Sequence, residues 1–171
     1  MEIKVLLAYA SMNGSTKEVA EAVAETLRAY GLTVDIQLLR KVRSLAGYRA
    51  VILGAPLYMF HWHKDALRFI SKHRQALAAA MPVAIFAGGP FGAGDEKEWQ
   101  EVHKQLDAEL AKFPWLSPVS VELIGGKFDP ARLPFPYNLL PALKQVPAND
   151  LRDWAAIREW ANNLPAQLQL A

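Results

Sequence analysis

The 171 residues suffice for one domain with a substantial core, and an apolar content of 52% excludes a disordered chain. The absence of cysteine excludes disulfides, thiolate catalysis and cysteine-held zinc or iron–sulfur centres. Lys and Arg number 19 against 17 Asp and Glu, a balance too even to argue for nucleic acid.

Ile3 to Tyr9 is a nearly unbroken apolar run, as in a strand buried on both faces. From Thr16, apolar residues recur at Val19, Ala20, Val23, Ala24 and Leu27 while Glu18, Glu21 and Glu25 fall opposite, which predicts an amphipathic helix ended by Gly31. Thr33–Leu39 reads as a second strand and Ala50–Pro56 as a third, again apolar on both faces. Lys64 to Leu77 carries helical spacing, Pro82–Gly89 is a fourth strand, and Asp95 to Phe113 is a helix that Asp95 caps. Pro118–Gly126 is a fifth strand, and Asp150 to Leu164 a last helix stopped by Pro165. Strands alternate with helices, so the expected fold is α/β: a parallel sheet with helices on both faces. "MEIKVLLAYA" is too short an apolar run for a secretory signal, and no stretch has the roughly 18 apolar residues of a membrane span. A cytoplasmic protein is the expectation.

Gly125 to Asn149 breaks the alternation. It holds five of the eleven prolines, together with Phe128, Leu133, Phe135, Tyr137, Leu139, Leu140 and Leu143. A connection of this length inside a compact domain is usually functional or disordered, and its apolar content argues against disorder.

Between the first strand and first helix stands "SMNGST", Ser11, Met12, Asn13, Gly14, Ser15 and Thr16. In an open parallel sheet, ligands bind beyond the carboxyl ends of the strands where the strand order reverses. The helix start offers unpaired N–H groups, the hydroxyls and the Asn13 amide add donors, and Gly14 permits φ > 0 and close approach. These residues make a cup for a phosphate; the plainer alternative is that Ser15 or Thr16 only caps the helix. Neither the G-x-x-x-x-G-K-[ST] nor the G-x-G-x-x-G spacing is present.

With Ser11, Asn13, Gly14 and Thr16 in these places, the chain resembles the flavodoxin family, whose phosphate loop for FMN follows the first strand. The resemblance implies a doubly wound, five-stranded parallel sheet of order 2-1-3-4-5, with FMN held at its carboxyl edge. It also implies that the loops after the third and fourth strands line the flavin ring. The first is Pro56, Leu57, Tyr58, Met59, Phe60, His61, Trp62 and His63, of which Tyr58 and Trp62 are the candidates to face the ring. The second carries Gly88, Gly89, Phe91, Gly92 and Gly94, with backbone N–H groups for the ring's polar edge and Phe91 to cover a face. His61 and His63 lack the companions of a metal site, so no metal is expected; a further expectation is that either imidazole assists proton movement to the ring.

"GAPLYMFHWHKDALRFI" and "DLRDWAAIREWA" are similar to the menaquinone-dependent protoporphyrinogen IX dehydrogenase branch of that family. That resemblance implies an FMN-dependent oxidoreductase that passes electrons to a quinone or a redox partner protein. It further implies an insertion at residues 125–149 that approaches a quinone or the inner face of a membrane. The alternatives are a non-enzymatic electron carrier and a flavin-free regulatory module; the latter expects acidic strand ends, and the first strand ends without a carboxylate.

Overall fold

The computed structural model describes residues 2–170. Strand β1 (Lys4–Tyr9) leads into helix α1 (Ser15–Ala29), β2 (Thr33–Leu38) and β3 (Ala50–Tyr58). A two-residue strand β4 (His61–Trp62) precedes α2 (Lys64–Lys72), α3 (Arg74–Ala78), β5 (Val83–Gly88), α4 (Glu96–Leu110) and β6 (Ser120–Leu123). Then come β7 (Lys127–Phe128), α5 (Pro141–Lys144), β8 (Asn149–Asp150) and α6 (Trp154–Gln167).

The main sheet runs β2-β1-β3-β5-β6, all parallel. This is the expected 2-1-3-4-5 order, renumbered because β4 pairs antiparallel with the end of β3. Alternate residues of the central strands enter two cores. Val5, Leu7, Ile52 and Phe86 pack with Val19, Val23 and Leu27 of α1 and Ile157, Trp160 and Leu164 of α6. Leu6, Leu53 and Ile85 pack with Phe69 and Ile70 of α2 and Val102 and Leu106 of α4. Apolar burial on both faces is why these strands read as continuous runs.

Three expectations change. The helix over 64–77 divides at His73, whose φ of −101° and ψ of 21° leave the helical range while its ring packs on Phe69 at 4.5 Å. Pro165 does not stop the last helix; it lies buried inside α6, where burial offsets the lost hydrogen bond. That helix also begins later than Asp150, at Trp154, with the Asp153 side chain accepting from Ala156 N–H. The 125–149 insertion is a closed excursion: β7 and β8 pair antiparallel, so its two ends meet at the sheet's carboxyl edge.

Candidate functional site

The first turn of α1 has no side-chain cap. Gly14 is its N-cap at φ 87°, and the hydroxyl-cap alternative is not what the loop adopts. Gly14 N–H donates to Ser11 Oγ at 2.8 Å, which closes the loop, and no atom lies within 4 Å of where a Gly14 side chain would start. The N–H groups of residues 15–17 precede the first i→i−4 bond, that of Glu18 to Gly14, and so are left for a ligand. Thr16, expected to add a hydroxyl donor to the loop, has little access to solvent. Its Oγ1 lies 3.8 Å from the place of a Gly88 Cβ, and it helps seat the helix against β5.

Beside this loop opens a cleft of about 420 Å³, within the size range of ligand pockets. Met12 and Asn13 connect it to the cup, Leu57–Phe60 form one wall, Pro90–Gly92 another, and α4 the floor with Val102 and Gln105. The insertion closes the remaining side with Phe128, Leu133, Pro134, Tyr137 and Leu143. Of the expected site residues, Met12, Asn13, Leu57, Tyr58, Met59, Phe60, Phe91 and Gly92 meet here, while Pro56, Gly88 and Gly89 are buried behind it.

Trp62 does not face this space. The β3–β4 hairpin turns it inward to 1% exposure, with Nε1 donating to Ala55 O at 2.9 Å. Strand alternation then sends His61 outward, where Nδ1 lies 3.4 Å from Glu109 Oε1. His63 caps α2, Nδ1 accepting from Asp65 N–H at 3.1 Å, and burial lowers its pKa below the ordinary value. Neither histidine lines the cleft.

Two further arrangements differ from expectation. Tyr58 and Phe91 do not flank an open slot but stack on each other, centroids 4.6 Å apart at 14°. A flat ring lying between them requires that they part. Burial, with Tyr137 nearby, pushes the Tyr58 hydroxyl up to about 12, so it stays a neutral donor. The N–H groups of Gly92 and Gly94 are already engaged, by Glu98 Oε1 at 2.8 Å and Oε2 at 2.6 Å.

Several residues of the site escape sequence reasoning. Glu98 follows Asp95 by three, a capping-box spacing that was available as a signal; Asp95 Oδ1 accepts Glu98 N–H, but Glu98 reaches back to the glycines. Glu109, 4% exposed, holds the hairpin by accepting from Trp62 N–H at 3.3 Å and from Lys112 Nζ at 2.7 Å. Asn149 and Arg152 reach the cofactor loops from the far end of the chain, across separations that no local pattern announces.

A doubly wound parallel sheet with an uncapped helix start and an apolar cleft at its carboxyl edge is the architecture of mononucleotide-binding α/β proteins. A family model described as the flavodoxin domain matches residues 6–137, and the chain belongs to that family. It is 24% identical over 115 residues to the protoporphyrinogen IX dehydrogenase [quinone] of Escherichia coli strain K12, covering 66% of this chain and 63% of that protein. The chain therefore spans less than two thirds of that relative's length. The enzyme of the same name from Leishmania major is 23% identical over 174 residues, covering 95% of this chain and 75% of that one. Among solved structures, oxidised flavodoxin 1 from Bacillus cereus superposes with a TM-score of 0.59 at 16% identity, covering 98% of this chain and 97% of that one. That likeness is one of fold.

The family points to FMN as the cofactor. The donor set fits: open N–H groups at the start of α1 suit the phosphate, and the adjoining apolar cleft suits a flat ring.

Proposed function

We propose that the chain is an FMN-dependent oxidoreductase whose cleft admits an apolar, ring-sized substrate, with protoporphyrinogen IX as the specific candidate and a quinone as electron acceptor. When bound, the flavin supplies the redox chemistry, and the protein binds, orients and shields it. The observation that carries this reading is the insertion. Residues 128–143 wall the cleft opposite the cofactor loops, which gives the site a second apolar surface beside the ring position. The acids on α4, Glu98 and Glu101, line the cleft, whereas Lys127, Arg132 and Lys144 lie in the insertion outside the lining. A porphyrinogen entering ring first would have these insertion cations available to its propionates.

The curated relatives named above support the substrate and acceptor by name. Phe135, Leu139, Leu140 and Val146 stand exposed on the same insertion. Exposed apolar residues and cations on one insertion are the composition that suits peripheral contact with the inner face of a membrane, where a quinone resides. No helix among the described residues is long and apolar enough to cross one.

A second reading is an electron carrier without its own small-molecule substrate. It rests on the hairpin tip, where Met59 and Phe60 are 60% and 69% exposed beside the cleft and available to a redox partner protein. One anaerobic experiment separates the two. FMN-loaded protein is mixed with protoporphyrinogen IX, and the flavin's visible absorbance is followed. Rapid bleaching, reversed by adding a naphthoquinone, supports the oxidoreductase. No bleaching by the porphyrinogen, with prompt reduction by a protein donor, supports the carrier.

A further inference from the structure

We propose that Arg152 is a positioning residue for the phosphate loop, and that the strap Asn149–Arg152 ties the phosphate end and the ring end of the cofactor site together. This rests on the assignment of residues 11–16 as the phosphate cup.

The Arg152 side chain is covered by its partners, 3% exposed, although the residue sits at the surface. Nη1 donates to Ser15 O at 3.1 Å and to Glu18 Oε2 at 3.3 Å. Nε and Nη2 donate to Asp150 Oδ1 and Oδ2 at 2.9 and 2.8 Å, and the guanidinium lies 4.8 Å from the centre of the Trp154 ring. Only a planar fork of five donors satisfies a carboxylate on one edge while reaching a carbonyl and a second carboxylate on the other.

Two consequences follow for an anion at the start of α1. The guanidinium fixes the first residue of the helix, and with it the direction of the open N–H groups. It also pairs with Glu18, the half-exposed acid of the first turn, whose charge otherwise repels an anion bound at the same terminus.

Asn149 performs the matching task at the other end. Its Nδ2 donates to Phe91 O at 2.9 Å and to Gly92 O at 2.7 Å, clasping the loop after β5. Between them, Leu151 N–H donates to Gly126 O at 2.8 Å, and the Leu151 carbonyl crosses Gly125 so closely that a side chain there would strike it. Four consecutive residues thus hold loops that leave β1 and β5, strands separated in the sheet by β3.

The two ends predict different ligand dependences. Dissociation constants for FMN and for riboflavin, which lacks the phosphate, are measured on the full chain by fluorescence. Arg152→Met is expected to weaken FMN by about tenfold and riboflavin by less than about threefold, the size of a lost charge-assisted contact at the phosphate end. Asn149→Ala is expected to weaken both by the same factor. Glu18→Gln added to Arg152→Met removes the uncovered charge and is expected to restore part of the FMN loss alone. An equal loss for FMN and riboflavin in Arg152→Met, or no loss, overturns the proposal. Should that variant fail to fold, Arg152→Lys and the single Glu18→Gln decide. The first is expected to shift the FMN-to-riboflavin ratio against FMN and the second toward it, and an unchanged ratio in both overturns the proposal. FMN titration of the natural chain separates the two levels: no saturable binding removes the cup assignment and this proposal with it, whereas normal binding with an unmoved ratio in Arg152→Met removes Arg152 alone.

Discussion

Replacing Glu109 with alanine tests how the hairpin that walls the cleft is held. The Glu109 carboxylate is buried among three donors, Lys112 Nζ at 2.7 Å, Trp62 N–H at 3.3 Å and His61 at 3.4 Å. Lys112 and His61 are more than half exposed, so solvent screens their share to at most about 0.5 kcal/mol each. The Trp62 N–H is buried, and leaving it without an acceptor costs about 1–3 kcal/mol. The sum is about 2 kcal/mol, which for a chain of this size lowers Tm by roughly 4–8 °C. Glu109→Gln keeps an acceptor and is expected to lose only about 1 kcal/mol. Thermal unfolding followed by circular dichroism measures both. Limited proteolysis at Met59–Phe60 should rise in the alanine variant, because β4 is released. The carboxyl also sets a pH dependence. Burial raises its pKa, but the hydrogen bonds from Lys112, His61 and Trp62 outweigh burial and hold it below the ordinary value of 4.5. Its contribution is therefore complete above that value and is lost as pH falls through the lower folded one. An alanine variant with unchanged Tm and unchanged proteolysis would refute this account of the hairpin.

Three other outcomes are expected. Gly14→Val forces a β-branched residue to φ 87° in open space, so stability falls by about 2 kcal/mol without a clash while FMN affinity falls at least about tenfold; unchanged affinity contradicts the cup. His63, depressed by burial, caps α2 in its neutral form, so its contribution is intact above its ordinary 6.5 and is lost as pH falls through the folded value; His63→Asn keeps a capping acceptor and should flatten the Tm profile below that pH, and equal slopes would count against the cap. Trp62→Phe removes the bond to Ala55 O and part of a filled core, costing about 2–3 kcal/mol and leaving the bound-flavin spectrum unaltered; an altered spectrum at unchanged Tm would return Trp62 to the ring.

The sheet was legible because its central strands are apolar on both faces, and the open start of α1 because small polar residues interrupt a strand-to-helix transition at Ser11–Thr16. The hairpin was not. Its turn puts Met59 at φ 48° and Phe60 at φ 71°, left-handed values for which the sequence shows none of the usual Asn-Gly or Asp-Gly signature. Without the hairpin, the inward turn of Trp62 was hidden, and within a dense aromatic run it read, with Tyr58, as a candidate to face the ring. Glu98 lay in plain view as the third residue after a cap. Arg152 and Asn149 were hidden for another reason: their partners at Ser15, Glu18, Phe91 and Gly92 lie at distances in sequence where only the closed pairing of β7 and β8 brings them together.

The most direct measurement is the visible spectrum of the purified full chain during titration with FMN. A flavin spectrum that saturates at one FMN per chain, with riboflavin binding far more weakly, is the result predicted by a phosphate cup joined to an apolar cleft. A colourless protein that takes up no FMN on reconstitution would contradict it.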